Sequence, residues 1–215
     1  MTASSHLTGI TSIGKQMVAC SIGCAQANCS KATPPRCMYL EAVPTGLGVV
    51  VVGLNPAPAE PAEMRFYLQK GATYSNTVAF LQANLANIKY YKRLKPFVQG
   101  LGFRGPIHWT EVAKCEVKKG VRSPGPQMLT NCARAYLSRE LSALPGWPVL
   151  AVGRTAFNAL SFMGSGRAVI GIPHPTGAWG RAFTSLCGKG TFSASQQTAR
   201  RVKSVIKVQG AHWLV

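Results

Sequence analysis

Short apolar runs recur along the chain, and each is bounded by glycine, proline or polar residues. The clearest run is GVVVVG at residues 48–53, which is continuous and β-branched rather than alternating. Such a run predicts a strand that is buried on both faces of a parallel sheet. Three further strands are predicted at residues 107–115, 147–153 and 168–173.

Amphipathic segments between these runs predict helices. In the segment 77–93, apolar residues recur at helical spacing from Val78 to Ile88. Further helices are predicted over residues 127–144, 154–163 and 193–207. Alternating strands and helices are typical of βαβ units, so we predict an α/β fold: a three-layer αβα sandwich around a four-stranded parallel sheet.

The start of the chain has a different composition from the rest. Residues 1–18 are polar and rich in Gly, Ser and Thr, so we expect this segment to be disordered and residues 19–215 to form a single domain. No apolar run approaches the roughly 18 residues of a membrane-spanning helix, and no signal peptide is apparent. We therefore expect a cytoplasmic protein with reduced thiols and no contact with membranes.

The charge of the chain is strongly one-sided. There are 24 Lys and Arg residues against six acidic ones, which gives a formal charge of +18, and all six acids are Glu. The absence of Asp excludes Ser-His-Asp triads, aspartyl dyads and Asp-held magnesium sites. The positive charge favours a nucleic-acid partner, because bound phosphates release counterions. A ribosome-like structural protein or a merely basic surface is the alternative.

Two tetrapeptides follow predicted strands at the places where α/β sheets bind ligands. Gly53-Leu54-Asn55-Pro56 and His174-Pro175-Thr176-Gly177 resemble the two signature motifs of the uracil-DNA glycosylase superfamily. Between them, residues 71–74 (GATY) resemble the Gly-x-x-aromatic turn of that family, and residues 110–115 (TEVAKC) resemble its Thr-Asn-x-x-Lys-Cys segment. The resemblance covers about residues 20–181.

This resemblance implies catalytic and base-binding roles for particular residues. Asn55 would orient the attacking water, and His174 would donate a hydrogen bond to the base oxygen O2 as negative charge develops there. Tyr74 would stack on the flipped base, with Leu54 also in contact with it. The alternative for Asn55 is an Asx turn before proline. We interpret His108 as a core residue.

The segment after His174 would meet the DNA. Family members insert a wedge there, so Trp179 would fill the place of the extruded nucleotide. Thr176 and Arg181 would contact the flanking DNA, and Arg200 and Arg201 on the last predicted helix would bind phosphates. The alternative for Trp179 is a side chain folded onto the core.

Glu111 departs from the resembling segment, which usually has Asn at this place. An amide can both accept from N3–H and donate to O4 of uracil, whereas a carboxylate can only accept. A carboxylate matches the N4 amine of cytosine better, which favours a cytosine-derived base. Two alternatives stay open: an ion pair with a neighbour such as Lys114, and a protonated Glu111 that donates to O4 of uracil.

The chain has seven cysteines, of which four lie within eighteen residues. Crowded thiols in a reducing compartment indicate metal or cluster ligation. The resemblance to iron-sulfur (family-4-like) members implies a [4Fe-4S] cluster on four thiols, with zinc or no metal as alternatives. The implied ligands are Cys24, Cys29, Cys115 and Cys132. Cys20 is a reserve ligand, and Cys37 and Cys187 are spare thiols.

The resemblance implies a monofunctional DNA glycosylase that leaves an abasic site, since no Lys stands in the motif loops. Excision of ordinary cytosine would destroy the host's own DNA, so we predict a modified cytosine as substrate. Hypermodified phage DNA carries such bases, which suggests antiphage defence by a monomeric DNA-binding enzyme. The alternatives are a uracil-DNA glycosylase of base excision repair and a non-catalytic, metal-containing nucleic-acid-binding protein.

Overall fold

A computed structural model describes residues 3–41, 46–163 and 166–215, with side chains from His6 onward. The strands are β1 (Ala27–Asn28), β2 (Tyr39–Glu41), β3 (Val49–Gly53), β4 (Ile107–Glu111), β5 (Glu116–Val117), β6 (Val149–Val152), β7 (Val169–Ile172) and β8 (Ala211–Trp213). The main sheet has six strands in the order β2-β4-β3-β6-β7-β8, and β1 pairs with β5 in a separate sheet.

The helices lie between these strands. They are α1 (Ala3–Val18), α2 (Pro61–Lys70), α3 (Tyr74–Asn84), α4 (Lys89–Gly100), α5 (Pro126–Cys132), α6 (Ser138–Ala143), α7 (Arg154–Phe162), α8 (Gly180–Thr184) and α9 (Gln196–Val208). A π-helical turn, Ala133–Leu137, joins α5 to α6, and a 3₁₀ turn, Gly177–Trp179, precedes α8. The predicted α/β class, with a mostly parallel sheet flanked by helices, is confirmed.

The four predicted strands are present, and they are buried because both faces of the sheet are covered. Every residue of β3, β4, β6 and β7 is buried. β6 pairs in parallel with β3 and with β7, with Leu150 opposite Val51 and Ile170. The predicted number of strands is wrong, because β2 and β8 extend the sheet in the described residues. Each of these strands has three residues, too few for a hydrophobic run.

One predicted helix and one segment predicted to be disordered need correction. The segment 77–93 is not one helix, because α3 ends at Asn84 and α4 begins at Lys89. A turn separates them, in which the Asn87 N–H donates to the Asn84 carbonyl at 2.9 Å. Residues 3–18, for which the composition suggested disorder, form α1, in which Ile10, Ile13 and Met17 are buried at helical spacing. Residues 1 and 2 lie outside the described residues.

The chain divides into two compact units, and the candidate residues are described within each unit. Unit 1 contains Met1–Leu40, Gly53–Ala83 and Trp109–Pro145, and unit 2 contains Glu41–Val52, Asn84–His108 and Gly146–Val215. None of the described helices is long and apolar enough to cross a membrane.

Candidate active site

The loop after β3 carries the first motif in unit 1. The Ala113 N–H holds the start of this loop by donating to the Leu54 carbonyl at 2.9 Å. The Nδ2 of Asn55 donates to the Pro56 carbonyl, also at 2.9 Å, which fixes the direction of the amide. No donor of the described residues reaches Oδ1 of Asn55, so this oxygen can accept a hydrogen bond from water. Leu54 and Asn55 are both half-buried.

Glu111 ends β4, and only 7% of its surface is exposed. Its carboxyl group lies against Gly53, where any Cβ would overlap Oε2, so the first glycine of the motif is required by this carboxyl group. Among the described residues, Oε2 is buried without a hydrogen-bond partner. Burial raises the pKa of Glu111 to about 8, against the opposing charge of Lys114. A carboxyl group with that pKa is mostly protonated at neutral pH.

Lys114 does not form the alternative ion pair with the Glu111 carboxylate in the structure. Lys114 is fully buried, and its Nζ pairs with Glu140 Oε1 at 2.6 Å. The same ammonium donates to Thr110 Oγ1 and to the backbone carbonyl of Glu111, both at 2.6 Å. Thr110 in turn donates to Glu140 Oε2 at 2.6 Å. This network fixes the end of β4, and among the described residues Glu111 Oε2 stays without a hydrogen-bond partner.

The Glu111→Gln variant reports the protonation of this carboxyl group without any activity assay. The pKa of this carboxyl group rises from 4.5 to about 8 on folding. The free energy of unfolding of the wild type should therefore fall as pH rises through this range, because the group ionises first in the unfolded state. Glutamine does not titrate. The stability of the variant relative to the wild type should therefore increase above about pH 4.5 and level off above about pH 8. Urea denaturation across this range measures the difference, and a pH-independent difference would contradict the raised pKa.

Tyr74 begins α3 and is more enclosed than a stacking role suggests. Its side chain is 8% exposed, and its ring packs against Gly14 of α1, where a Cβ would overlap the ring. Burial raises the pKa of the Tyr74 hydroxyl, with Glu140 and Tyr39 adding to this effect. In this conformation the ring has little free surface for a base.

His174 follows β7 in unit 2 and is half-buried. Its Nδ1 lies 3.3 Å from the Thr176 backbone nitrogen, 3.2 Å from its carbonyl oxygen and 3.1 Å from Oγ1. Burial lowers the pKa of His174, partly opposed by the Thr176 carbonyl, so the ring is neutral at neutral pH. When Nδ1 accepts from the Thr176 N–H, the proton lies on Nε2, which can then donate to a substrate. His108 is fully buried in β4.

Two residues beside His174 were missed by the sequence analysis. The ring of Tyr90 lies 5.2 Å from that of His174, tilted by 39°. Arg93 Nη1 donates to the Pro175 carbonyl at 2.6 Å, and its guanidinium lies 4.8 Å from the Phe192 ring centroid. Both residues belong to α4. The mixture of basic and aromatic residues in this helix was the only sequence feature that could have indicated a place near the site.

The candidate DNA-binding residues of unit 2 are on its surface. Trp179 is 67% exposed, so the alternative of a side chain folded onto the core is not what the structure contains. Arg181 lies on α8, and Arg200 and Arg201 lie on α9, with all three side chains exposed. Helix α9 is anchored through buried Thr198 and Val202. Thr176 is half-buried beside His174.

Five cysteine thiols of unit 1 interact with one another: Cys20, Cys24, Cys29, Cys115 and Cys132. The pairing of β1 with β5 brings Cys29 near Cys115, whose thiol donates to it and lowers the pKa of Cys29 to about 7. Cys20 interacts with both Cys115 and Cys132, so the reserve ligand belongs to the same group.

This thiol group has the donor chemistry of an iron-sulfur or zinc site. In the part of the chain that the structure describes, no three Cys, His or acidic side chains stand close enough together to hold a metal ion. Cys187 is separate from the group, since it lies in unit 2 with its Sγ 3.5 Å from the Phe183 carbonyl. The cofactor therefore stays a prediction.

Comparison with known proteins agrees with the motifs. No curated protein matches the chain. The family model of the uracil DNA glycosylase superfamily matches residues 41–187, which is more than half of the chain and includes both motifs. The chain therefore belongs to the uracil-DNA glycosylase superfamily.

Proposed function

We propose that this protein is a monofunctional DNA glycosylase that hydrolyses the N-glycosidic bond of a flipped base and leaves an abasic site. Membership of the superfamily and the presence of both motifs support this activity. The motif loops, residues 54–59 and 174–181, contain no Lys that could form a Schiff base with the sugar.

In this proposal, Asn55 acts on the attacking water and His174 acts on the leaving base. Bond cleavage produces an oxocarbenium-like sugar and negative charge on the leaving base. Asn55 Oδ1 accepts from the attacking water and orients it, although an amide is too weak a base to deprotonate it. Nε2–H of neutral His174 donates to O2 of the base, where the charge develops.

The burial of the Glu111 carboxyl group is the observation that supports a choice of substrate. A buried, neutral carboxyl group presents one donor and one acceptor, and no described protein group occupies Oε2. On a cytosine-derived base, the carboxyl O–H donates to N3 while the other oxygen accepts from the N4 amine. N3 and the N4 amine of the base then both have a hydrogen-bond partner.

A proton transfer follows from this pairing. Cytosine leaves poorly as an anion, so the Glu111 proton moves to N3 as the C1′–N1 bond breaks and its electron pair passes to the base. The base departs neutral, and Glu111 becomes a carboxylate. Water adds to C1′ and releases a proton to solvent, from which Glu111 is reprotonated. Glu111 is the general acid of this step.

Uracil is the second candidate, because the same neutral carboxyl group can accept from its N3–H and donate to O4. Uracil leaves more readily as an anion, so it needs no proton from Glu111. The general-acid chemistry therefore favours the cytosine-derived substrate. Unmodified cytosine is abundant in any genome, so we propose a modified cytosine, and defence against phages with hypermodified DNA as the role.

The thiol group of unit 1 is proposed to hold a [4Fe-4S] cluster through Cys24, Cys29, Cys115 and Cys132, with Cys20 as the replacement ligand. When bound, such a cluster would cross-link β1, β5 and α5 and serve the fold rather than the reaction. A broad visible absorption band from the purified protein would support the cluster. Stoichiometric zinc without that band would indicate a zinc site in place of the cluster. The absence of both the band and zinc would exclude both kinds of site.

The activity is tested with oligonucleotides that contain uracil, cytosine or modified cytosines, followed by alkali to cleave abasic sites. We expect strand breaks at a modified cytosine. Asn55→Ala should lower the rate about 10- to 100-fold, because the water loses its orientation. Asn87→Ala, an exposed loop amide, is the matched control. DNA binding without strand breaks on any substrate would contradict the enzyme and favour a non-catalytic binding protein.

A further inference from the structure

A buried ion pair lies next to the loop that carries Asn55. Arg36 and Glu116 are each 3% exposed, and Arg36 Nη2 lies 2.6 Å from Glu116 Oε2. The two residues are 80 positions apart in the chain. Glu116 Oε1 also accepts from Asn28 Nδ2, and Arg36 Nε pairs with Glu63 at 2.8 Å.

This pair binds the backbone of the loop at two points. Arg36 Nη2 donates to the Ala57 carbonyl at 2.7 Å, and the Ala59 N–H donates to Glu116 Oε2, also at 2.7 Å. The loop has no regular secondary structure. The side chains of the pair therefore provide backbone hydrogen bonds that a neighbouring strand or helical turn would otherwise provide.

The loop can transmit this restraint to Asn55. Its sequence alternates proline and alanine, Pro56-Ala57-Pro58-Ala59, and proline fixes φ near −65°. With two φ angles fixed and two backbone groups held, few torsions stay free between the ion pair and Asn55. The position of the Asn55 amide therefore depends on the ion pair.

We infer that Arg36 and Glu116 are positioning residues for the reaction, which hold the loop so that Asn55 can orient the attacking water. This inference rests on the proposed glycosylase function. Neither residue touches the substrate. Their loss should reduce the rate of the chemical step and leave DNA binding nearly unchanged.

Arg36→Lys and Glu116→Gln test this role, with Glu63→Gln as the matched control. Lysine cannot bind Glu116 and the Ala57 carbonyl with the planar geometry of a guanidinium. Glu63 pairs with Nε of Arg36, whereas Nη2 is the nitrogen that donates to the loop. We expect the single-turnover rate of base release at saturating enzyme to fall about tenfold or more in the two test variants, with the Kd for DNA changed by less than about threefold, and Glu63→Gln to resemble the wild type.

A double-mutant cycle shows whether the effect acts through Asn55. In an Asn55→Ala background, Arg36→Lys should cause little further loss of the single-turnover rate, because the group that it positions is already absent. A full additional loss, or an equal loss in Glu63→Gln, would overturn the positioning role.

Hydrogen exchange separates this inference from the proposed function. The peptide that spans residues 54–60 should exchange faster in Arg36→Lys and Glu116→Gln than in the wild type and Glu63→Gln, whether or not a substrate is found. Unchanged exchange would overturn the inference even in an active enzyme. Should Arg36→Lys not fold, Glu116→Gln provides the same comparison, since it keeps the shape of the side chain.

Discussion

Glu111→Gln should release a modified cytosine about 10²- to 10⁴-fold more slowly than the wild type, while release of uracil stays within about tenfold. Glutamine has nearly the same shape and still offers one donor and one acceptor to the base. It cannot transfer a proton to N3, so only a base that leaves as an anion is released efficiently. Single-turnover kinetics with excess enzyme measure this difference directly.

The pH dependence of the wild type provides an independent check of the same proton transfer. Because the acid must be protonated and has a pKa of about 8, kcat/KM for a modified cytosine should fall above that pH. Glu111→Gln should lack this alkaline limb. Glu60→Gln removes an exposed acid and is the matched control for charge. Equal losses on both bases in Glu111→Gln would contradict the general-acid role.

His174→Ala should reduce the rate for every base about 10²- to 10³-fold, because it removes a donor to the charge that develops on O2. Uracil and cytosine share O2, so both should lose rate, and the loss should be larger for uracil because it leaves as an anion. Rates of base release measured at saturating enzyme separate the loss of chemistry from any loss of binding. His174→Asn, which keeps a side-chain N–H, should retain part of the rate.

The matched control for His174 is His212→Ala, an exposed histidine on β8. We expect it to behave as the wild type. A loss in His174→Ala confined to one base, or no loss at all, would contradict the role as donor to O2.

The sequence predicted the parts of the fold that depend on continuous apolar runs. The strand at Val49–Gly53 and its motif loop were both recognised, because β-branched runs and short motifs are local features. Helix α1 was missed because its Gly, Ser and Thr content obscured buried Ile10, Ile13 and Met17. Strand β8 was missed because three residues carry too little pattern.

The sequence predicted which residues belong to the candidate site, but not their burial, their protonation or their ion-pair partners. The presence of Glu111 raised the question of the substrate, but its protonation depends on burial against Gly53, which no local pattern reveals. Similarly, an ion pair with Lys114 was one of the alternatives for Glu111, whereas the structure pairs Lys114 with Glu140. Contacts between residues distant in the chain decided both points.

The distribution of the acids has a consequence for turnover. Four of the six glutamates, Glu41, Glu63, Glu116 and Glu140, lie in ion pairs with Lys or Arg, and Glu111 is buried. Only Glu60 is exposed without an ion-pair partner among the described residues, so the free surface charge of these residues is almost purely cationic. Removal of a base leaves every phosphate in place, so the proposed function leads us to expect that the protein holds its product about as firmly as its substrate. We expect dissociation from the abasic strand, driven by competing cations from the solution, to be the slow step of the proposed cycle.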